Sequence, residues 1–517
     1  MDLERQTATS EDVIRWISTI APAGATPSAA VAEELQNATD QLIALFKADG
    51  KLDDSPVALA MNRTVDLHEA AATARIKGNR ILVTGGLGAV GSRLIPILAR
   101  LGAAEIAIVD IAEHDYQPDG EAHALKPVVH RVDINDLAAF DAIVAAFRPQ
   151  VIFHLASIRE PGRAEVVVRE AIDTNVFGTR NVIDLCLKHG VEDAIYSSTG
   201  KCFAYVTDHV YTGSKKLAEA QWAVAARAST STRFRCTRFT HVMENGVVAQ
   251  DIVDGIERGL VGLHGPDRHF NVQNLRQATH LLINALALSE TTPVDGYWSA
   301  VDLGWPVNTL ELALYKIVQS GKRAAVYFSG VPSGYDEVFF RGQFSWNDEV
   351  EYHPLINALE APTGFGDSSG TMAGARIQMF DPAALQVELD RLKASLDDES
   401  LDFPQLKQAL LEAVSGLAAA IFAAAELPRI VDVLWWGAAP AWAGPNAHLA
   451  VKFREVISLL ADAVAAGFAG APELLNGDMR EKLEEVAETL SRVDSLSSQA
   501  AALNALLTES TVVAARA

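Results

Sequence analysis

Residues 81–94, Ile81-Leu82-Val83-Thr84-Gly85-Gly86-Leu87-Gly88-Ala89-Val90-Gly91-Ser92-Arg93-Leu94, decide how this chain is read. Three β-formers run into a glycine turn, and the turn runs directly into a helical pattern. Gly85 allows a tight turn after the strand, Gly88 lets backbone approach a pyrophosphate, and Gly91 lets the helix pack on the strand. The N–H groups of Ala89, Val90 and Gly91 then face the phosphates at a helix N-terminus. The next apolar strand, Glu105–Val109, ends at Asp110, where a carboxylate can accept a hydrogen bond from a ribose 2′-hydroxyl. This pattern predicts a dinucleotide site.

The βα rhythm continues downstream. Val128–Val132 reads as a third strand leading to Asp133-Ile134, where an adenine would sit. Val151–His154 is a buried strand, and Leu155, Ala156 and Ser157 form a small-residue turn over the cofactor. Asn175 opens a helix carrying Gly178 and Asn181, and Ala194–Ser198 is another apolar strand followed by Thr199. Tyr211-Thr212-Gly213-Ser214-Lys215 then puts a phenol and an ammonium four residues apart, on one helix face. A lysine beside a tyrosine favours phenolate, so Tyr211 is expected to have a lowered pKa and to take a proton from a substrate alcohol as hydride leaves for nicotinamide. Thr199 is placed to hydrogen-bond the same oxygen.

These residues resemble the extended short-chain dehydrogenase/reductases. Within them they look most like the polysaccharide-biosynthesis branch, the nucleotide-sugar 4,6-dehydratases and epimerases acting on UDP-N-acetylhexosamines. The branch resemblance rests on Phe153–Pro161 (FHLASIREP), Thr174–Val182 (TNVFGTRNV), Ser198–Lys201 (STGK) and Arg238–Gly246 (RFTHVMENG). Arg268–Ala278 and Pro306–Ala313 extend it, so that it covers about Lys77 to Ala361. The resemblance implies an NAD-dependent epimerase or dehydratase working through a 4-keto sugar. It implies Thr199, Lys201, Tyr211 and Lys215 as catalytic residues, and Arg159, His241 and Arg268 as substrate contacts. It also implies a homodimer formed through helices Lys215–Ala225 and Asn175–Lys188.

The departures from that branch bear on the chemistry. The branch has an acid before its lysine, to protonate the leaving 6-hydroxyl; here Lys201 is kept but the acid position is Gly200. Lys201 is either the base at C5 or a solvated lysine beside the site. The asparagine of an RFGNV-like motif is His241, and the basic residues expected after a Pro-Gly pair are replaced by Tyr335, Asp336 and Glu337. Arg268 has the donor fork for a phosphate, though a surface arginine paired with a carboxylate reads equally well. Dehydration is therefore less expected than alcohol oxidation or epimerisation.

Composition limits the partners. A net charge of −23 over 517 residues argues against a nucleic-acid surface, which needs clustered Lys and Arg. Cys186, Cys202 and Cys236 have no metal-ligand spacing and read as free thiols in a reducing cytosol, Cys202 most simply as a small buried hydrophobe. The acidic start Met1-Asp2-Leu3-Glu4 is not a signal peptide, and the apolar run Ala413–Ala425 is short for a membrane span. A soluble cytoplasmic protein with a small-molecule substrate is expected, with no metal.

The fold expected is α/β: a Rossmann-type doubly wound parallel sheet with a small substrate-binding part, flanked by N-terminal helices and a C-terminal all-α domain. Residues 1–76 read as a helical segment and 77–361 as the enzyme-like body. Residues 362–374 (PTGFGDSSGTMAG) read as a linker, and 375–517 as a helical domain. In the last part Leu483, Val486, Leu490, Val493, Ala500, Leu503 and Leu507 form an apolar stripe, a further association surface. Trp435-Trp436 reads as a core aromatic pair, with a partner anchor as the alternative. Two function classes follow: an NAD-dependent enzyme on a nucleotide-activated sugar, or an NAD(P)-binding sensor or scaffold acting through its helical flanks. Intact Thr199, Tyr211 and Lys215 favour the enzyme, because a binder needs no proton relay.

Asp110 followed by Ile111, without Arg or Lys nearby, repels a 2′-phosphate and offers it no partner. NAD is therefore expected to bind more tightly than NADP in calorimetry, and Asp110→Ala should narrow the difference. Equal affinities in the unaltered protein would contradict this assignment.

Overall fold

The computed structural model describes residues 9–118, 125–245, 247–304, 306–346, 353–440 and 447–514. Gly246, at the end of the RFTHVMENG motif, lies outside the described residues. The chain divides into two units, each assembled from three segments. The first holds Met1–Asp66, Phe239–His280 and Ala300–Asp336; the second holds Leu67–Arg238, Leu281–Ser299 and Glu337–Ala517.

The second unit is built on one nine-stranded sheet. Its first six strands are β1 (Arg80–Thr84), β2 (Glu105–Asp110), β3 (Val128–Arg131), β4 (Val151–His154), β5 (Asp193–Thr199) and β6 (Arg233–Phe239). The others are β11 (Gly296–Ala300), β14 (Phe365–Gly366) and β15 (Met372–Arg376), and the spatial order is β14-β15-β11-β6-β5-β4-β1-β2-β3. β1 pairs in parallel with both β2 and β4, so the strand order reverses at β1, the place where such sheets open a crevice at their carboxyl ends. Both faces of the central strands are buried, which is why they read as continuous apolar runs. Leu82, Ala107, Ile152 and Ala194 share a core with Phe140, Val144, Val182, Ile183, Ala218 and Trp222 from three helices. The doubly wound α/β expectation is met.

In the first unit the N-terminal helices Ser10–Ile20 and Ala29–Ala48 bury Val13, Ile17, Leu35, Leu42 and Phe46. These side chains join Ile252, Val261, Leu314 and Val326 in one core. The Val326 N–H donates to Thr39 Oγ1 at 2.8 Å. The strands here are short: β7 (His241–Val242) pairs with β10 (Val272–Gln273), β9 (His269–Phe270) with β12 (Val307–Asn308), and β8 (Leu260–Leu263) with β13 (Ala325–Phe328). Residues 1–76 are thus no separate segment, because their apolar faces are completed by chain more than two hundred residues away, while Glu69–Ile76 lies in the other unit.

Two further boundaries are corrected. Residues 362–374 are not a linker: β14 and β15 form an antiparallel hairpin, with Phe365 opposite Gly374, that extends the sheet. Phe365 packs edge-on against Trp298 at 4.7 Å between ring centres, and a Cβ on Gly296 would lie 3.0 Å from the Phe365 ring. Within the stretch a Cβ on Gly374 would overlap the Tyr297 carbonyl oxygen, so that glycine marks close packing although in sequence it looks like flexibility.

Nor do the C-terminal helices form a domain with its own core. Helix Phe403–Ala424 packs along helix Val210–Ala228, which carries Tyr211 and Lys215, and Val210, Leu217, Ala220, Leu410, Val414 and Leu417 share one core. Gly213 makes the approach close: a Cβ there would lie 3.3 Å from Val414 and 3.4 Å from Leu410. Polar clamps add to this. Glu165 accepts from the Val210 N–H at 2.7 Å and from Lys407 Nζ at 2.6 Å, a carboxylate at a helix N-terminus. Arg169 donates to the carbonyls of Leu396, Asp398 and Leu401.

Of the two helices expected to form a dimer contact, Val210–Ala228 has that face covered by the chain's own C-terminal helices. Fifteen residues of helix Val210–Ala228 are buried, and Arg180 on the neighbouring helix donates to Gln386 at 3.1 Å. The apolar stripe Leu483–Leu507 is likewise buried in this core and offers no association surface. Trp436 is a core residue, as expected, while Trp435 donates to Glu485 at 2.9 Å. Phe403–Ala424 is long and apolar enough to cross a membrane, with mean hydropathy 1.4, which corrects the expectation drawn from the shorter run 413–425. Leu406, Leu410, Val414, Leu417, Ile421 and Phe422 nevertheless turn into the core, as in an interior helix.

Leu410→Ala removes packing between the C-terminal helices and the Tyr211 helix and should cost about 2–5 kcal/mol. Chemical denaturation should show one shared transition, and an early separate transition of the C-terminal helices would disprove the common core.

Candidate functional site

The glycine turn is built as its spacing implies. Gly85 has φ +69°, and a Cβ there would lie 2.6 Å from the backbone nitrogen of Ala156, at the crevice between β1 and β4. A Cβ on Gly91 would lie 2.5 Å from Gly86 Cα, so helix and turn must touch. Gly88 differs. Its φ is −69°, and a Cβ would make only an ordinary 3.4 Å contact, so no protein neighbour requires a glycine. The helix it precedes, Ala89–Arg100, has no side-chain cap, leaving first-turn N–H groups for an outside acceptor. These residues fit a dinucleotide pyrophosphate.

Asp110 ends β2, and its carboxylate accepts from the N–H groups of Leu87 at 2.9 Å and Ala112 at 3.0 Å. It thereby ties the end of β2 to the glycine turn and keeps lone pairs for a further donor. Asp133 caps the Asn135 N–H at 2.9 Å, and Ile134 is buried beneath Gly178. Leu155, Ala156 and Ser157 follow β4, with the Leu155 and Ala156 N–H groups donating to Thr84 Oγ1. His154 is fully buried between Thr84 Oγ1 at 2.8 Å and Thr179 Oγ1 at 3.0 Å; burial lowers its pKa to about 3, so it stays neutral as a structural strut. Asn175 has another role than the cofactor contact expected. It is buried, its amide donates to Ile158 O and Ser214 Oγ, and its oxygen accepts from the Ile158 N–H. With both amide protons used, it orients the 155–160 loop against the Tyr211 helix.

Thr199, Lys201, Tyr211 and Lys215 come together at the carboxyl end of β5, and Thr199 hydrogen-bonds Tyr211. Lys215 is buried and donates to the Ser197 carbonyl at 2.9 Å, with its ammonium 4.4 Å from the Tyr196 ring centre. Burial lowers its pKa to about 8. The expected depression of Tyr211 is not found: burial raises it to about 12, against the Thr199 hydrogen bond and the Arg159 charge, which pull it down. The physical reason is that loss of water around the phenol outweighs its favourable neighbours.

Of the expected substrate contacts, Arg159 is exposed and its charge acts on Tyr211. His241, stacked edge-on to Phe270 at 4.9 Å, and exposed Arg268 belong to the first unit.

Sequence reasoning missed one member of the Tyr211 cluster as a functional residue. Glu337, 136 residues from Lys201, accepts from Lys201 Nζ at 2.8 Å, Thr207 Oγ1 at 2.8 Å and Thr212 Oγ1 at 3.1 Å. Its side chain is 6% exposed. No spacing signal joins positions so distant, and the segment around it read only as a loss of basic residues. Gly200 is explained too: a Cβ there would overlap the Leu355 side chain. Leu355 is held by Arg238, which donates to its carbonyl at 2.9 Å.

Residues 81–331, just under half of the chain, match the family described as polysaccharide biosynthesis protein. The chain is similar to the probable polysaccharide biosynthesis protein EpsC of Bacillus subtilis (strain 168), 25% identical over 59% of this chain and 52% of that protein. Capsular polysaccharide biosynthesis protein CapD of Staphylococcus aureus is 26% identical, over 54% and 48%. A UDP-N-acetylglucosamine 4,6-dehydratase (inverting) of Campylobacter jejuni is 30% identical, over 32% and 49%. The chain spans about half the length of these curated relatives. Among solved structures, Pen from Bacillus thuringiensis gives a TM-score of 0.48 at 18% identity, covering 59% of this chain and 90% of that one.

A phenol raised to about 12 is protonated near neutrality, and its conjugate base grows about tenfold per pH unit below that pKa. Any alcohol oxidation through Tyr211 should therefore accelerate from about pH 7 to about pH 10 in steady-state rates. Tyr211→Phe should abolish it and leave dinucleotide affinity within about threefold, because the phenol matters mainly in the transition state. A Tyr211→Phe protein that still turned over would remove the phenol from the reaction.

Glycine turn, carboxylate, threonine, tyrosine and lysine thus lie within the stretch, residues 81–331, that matches the polysaccharide biosynthesis protein family, and the chain is similar there to polysaccharide biosynthesis proteins and a nucleotide-sugar dehydratase.

Proposed function

We propose that this protein is an NAD-dependent epimerase or dehydratase acting on a nucleotide-activated sugar through a 4-keto intermediate. The observation that carries this reading is the Thr199–Tyr211–Lys215 group at the end of β5, on the same sheet as the glycine turn and Asp110. A pure binding module has no use for a buried phenol bonded to a hydroxyl and followed by a buried lysine. Gly85, Gly88, Ala89, Val90 and Gly91 would hold the pyrophosphate, and Asp110 the ribose. Bound NAD would supply a reversible acceptor for the C4 hydride. Tyr211 takes the C4 hydroxyl proton, Thr199 steadies that oxygen, and Lys215 holds a ribose hydroxyl edge. Arg159, with its charge acting at Tyr211, is a substrate contact. Three free, buried thiols suit a reducing cytosol.

A second reading, an NAD(P)-binding sensor or scaffold, is favoured by one observation: C-terminal helices cover the Tyr211 helix and clamp its N-terminus through Glu165 and Lys407. The two readings separate on turnover. The purified chain should convert at least one of a panel of UDP-, GDP- and dTDP-sugars in the presence of NAD, seen by mass spectrometry and NMR. Tight NAD binding without any product across the panel would favour the sensor.

A further inference from the structure

Where the related enzymes carry an acid beside their lysine, this chain has Gly200, and Leu355 occupies the space that side chain would need. A carboxylate nevertheless stands beside Lys201. Glu337 arrives from a distant segment and is fixed by three donors, with Oε1 on Thr207 and Oε2 on Lys201 and Thr212. It is close enough to act electrostatically on Tyr211, the next residue to Thr212, and His209 Nδ1 lies 3.9 Å from its Oε1. The Glu337 side chain is buried while that of Lys201 is 29% exposed, and such a partly buried ion pair is weak evidence for stability alone. Its place beside the Thr199–Tyr211 pair gives it a chemical use.

Resting on the proposed function, we propose that Glu337 and Lys201 are a proton-relay pair, with Glu337 the base for the hydrogen next to the transient ketone. With C4 oxidised to a ketone, the C5–H bond breaks and its proton goes to the Glu337 carboxylate. The bonding electrons form a C4–C5 double bond, and the enolate oxygen at C4 is held by Tyr211 and Thr199. When the C4 ketone re-forms, these electrons make a C5–C6 double bond and expel the C6 oxygen, which takes a proton from the Lys201 ammonium and leaves as water. The proton on Glu337 then crosses to the Lys201 amine over the 2.8 Å contact, restoring both groups. No outside acid is needed. Lys201, as an ammonium, has donors and no lone pair, so within the pair the carboxylate is the acceptor.

The test bypasses hydride transfer. The full-length protein with NAD is given a UDP-4-keto-6-deoxy-N-acetylhexosamine in deuterated water, and C5 deuteration is followed by NMR. The wild type should exchange, and Glu337→Gln should slow exchange at least about 100-fold relative to any hydride transfer the same protein shows. Lys201→Ala should slow it less, since Thr207 and Thr212 still hold the carboxylate. Glu337→Asp should retain measurable exchange, and it decides the matter if Glu337→Gln loses its melting transition. Wild-type exchange rates in Glu337→Gln, or a larger loss in Lys201→Ala than in Glu337→Gln, would overturn the assignment, as would no exchange by the wild type. Glu337-dependent exchange without turnover of any sugar alcohol would refute the proposed oxidation and leave the relay standing.

Discussion

The guanidinium of Arg238 is the interaction on which the arrangement around the site depends. It is buried at the end of β6 and donates to Glu219 on one side and Glu360 on the other, stacked 3.9 Å above the Tyr297 ring. Burial works to raise the pKa of Glu219, yet the Arg238 charge and hydrogen bonds outweigh it and hold the carboxyl below its ordinary value. Removing either partner would leave an uncompensated charge in a dry interior, a loss of about 3–5 kcal/mol. Glu219 sits on the Tyr211 helix and also accepts from Ser198 Oγ at 2.6 Å, so helix, β5 and β6 are joined at one point. Glu360 and the Leu355 carbonyl bring in the 355–360 segment, and Leu355 then fills the space beside Gly200. A charge cluster with no direct part in chemistry thus determines which side chains surround Lys201.

The Tyr211 helix is constrained on its other side by the C-terminal helices. An isolated helix of this length would expose a wide apolar face, and here Leu410, Val414 and Leu417 cover it. Gly213 is unfavourable inside a helix by about 1 kcal/mol relative to alanine. Its lack of a side chain lets helix Phe403–Ala424 come close. One helix therefore meets two demands, a fixed phenol and lysine toward the sheet and a packed interface away from it. The price of that rigidity is that the same face is lost for pairing with another copy.

Much of this was legible along the chain. Strands β1, β2, β4 and β5 announced themselves as apolar runs because both their faces are buried, and the glycines at 85 and 91 because their backbone contacts admit no side chain. The spacing of Tyr211 and Lys215 placed both on one helix, and the spacing of Leu483 to Leu507 marked an apolar stripe, though not that the chain itself buries it. Local periodicity carries this information, since it reports on the nearest few residues. Misreadings arose where composition stood in for contacts. The glycines and serines of 362–374 looked flexible although the stretch forms a hairpin in which Tyr297 and Phe365 leave no room for a side chain at Gly374.

By itself the sequence determined the doubly wound sheet, the glycine turn and the placing of Tyr211 and Lys215 on one helix, because each depends on short-range pattern and backbone conformation. Only the tertiary structure decided their surroundings. The Tyr211 pKa is raised because burial, a property of the whole packed unit, outweighs its neighbours. Lys201 gains its carboxylate from residue 337 because chain entering from far away closes over the site. The helices after residue 375 become part of the same core because their apolar faces match the helix that bears Tyr211. Long-range burial and charge pairing leave no periodic trace in a single chain, and they are what distinguish this site from its local motifs.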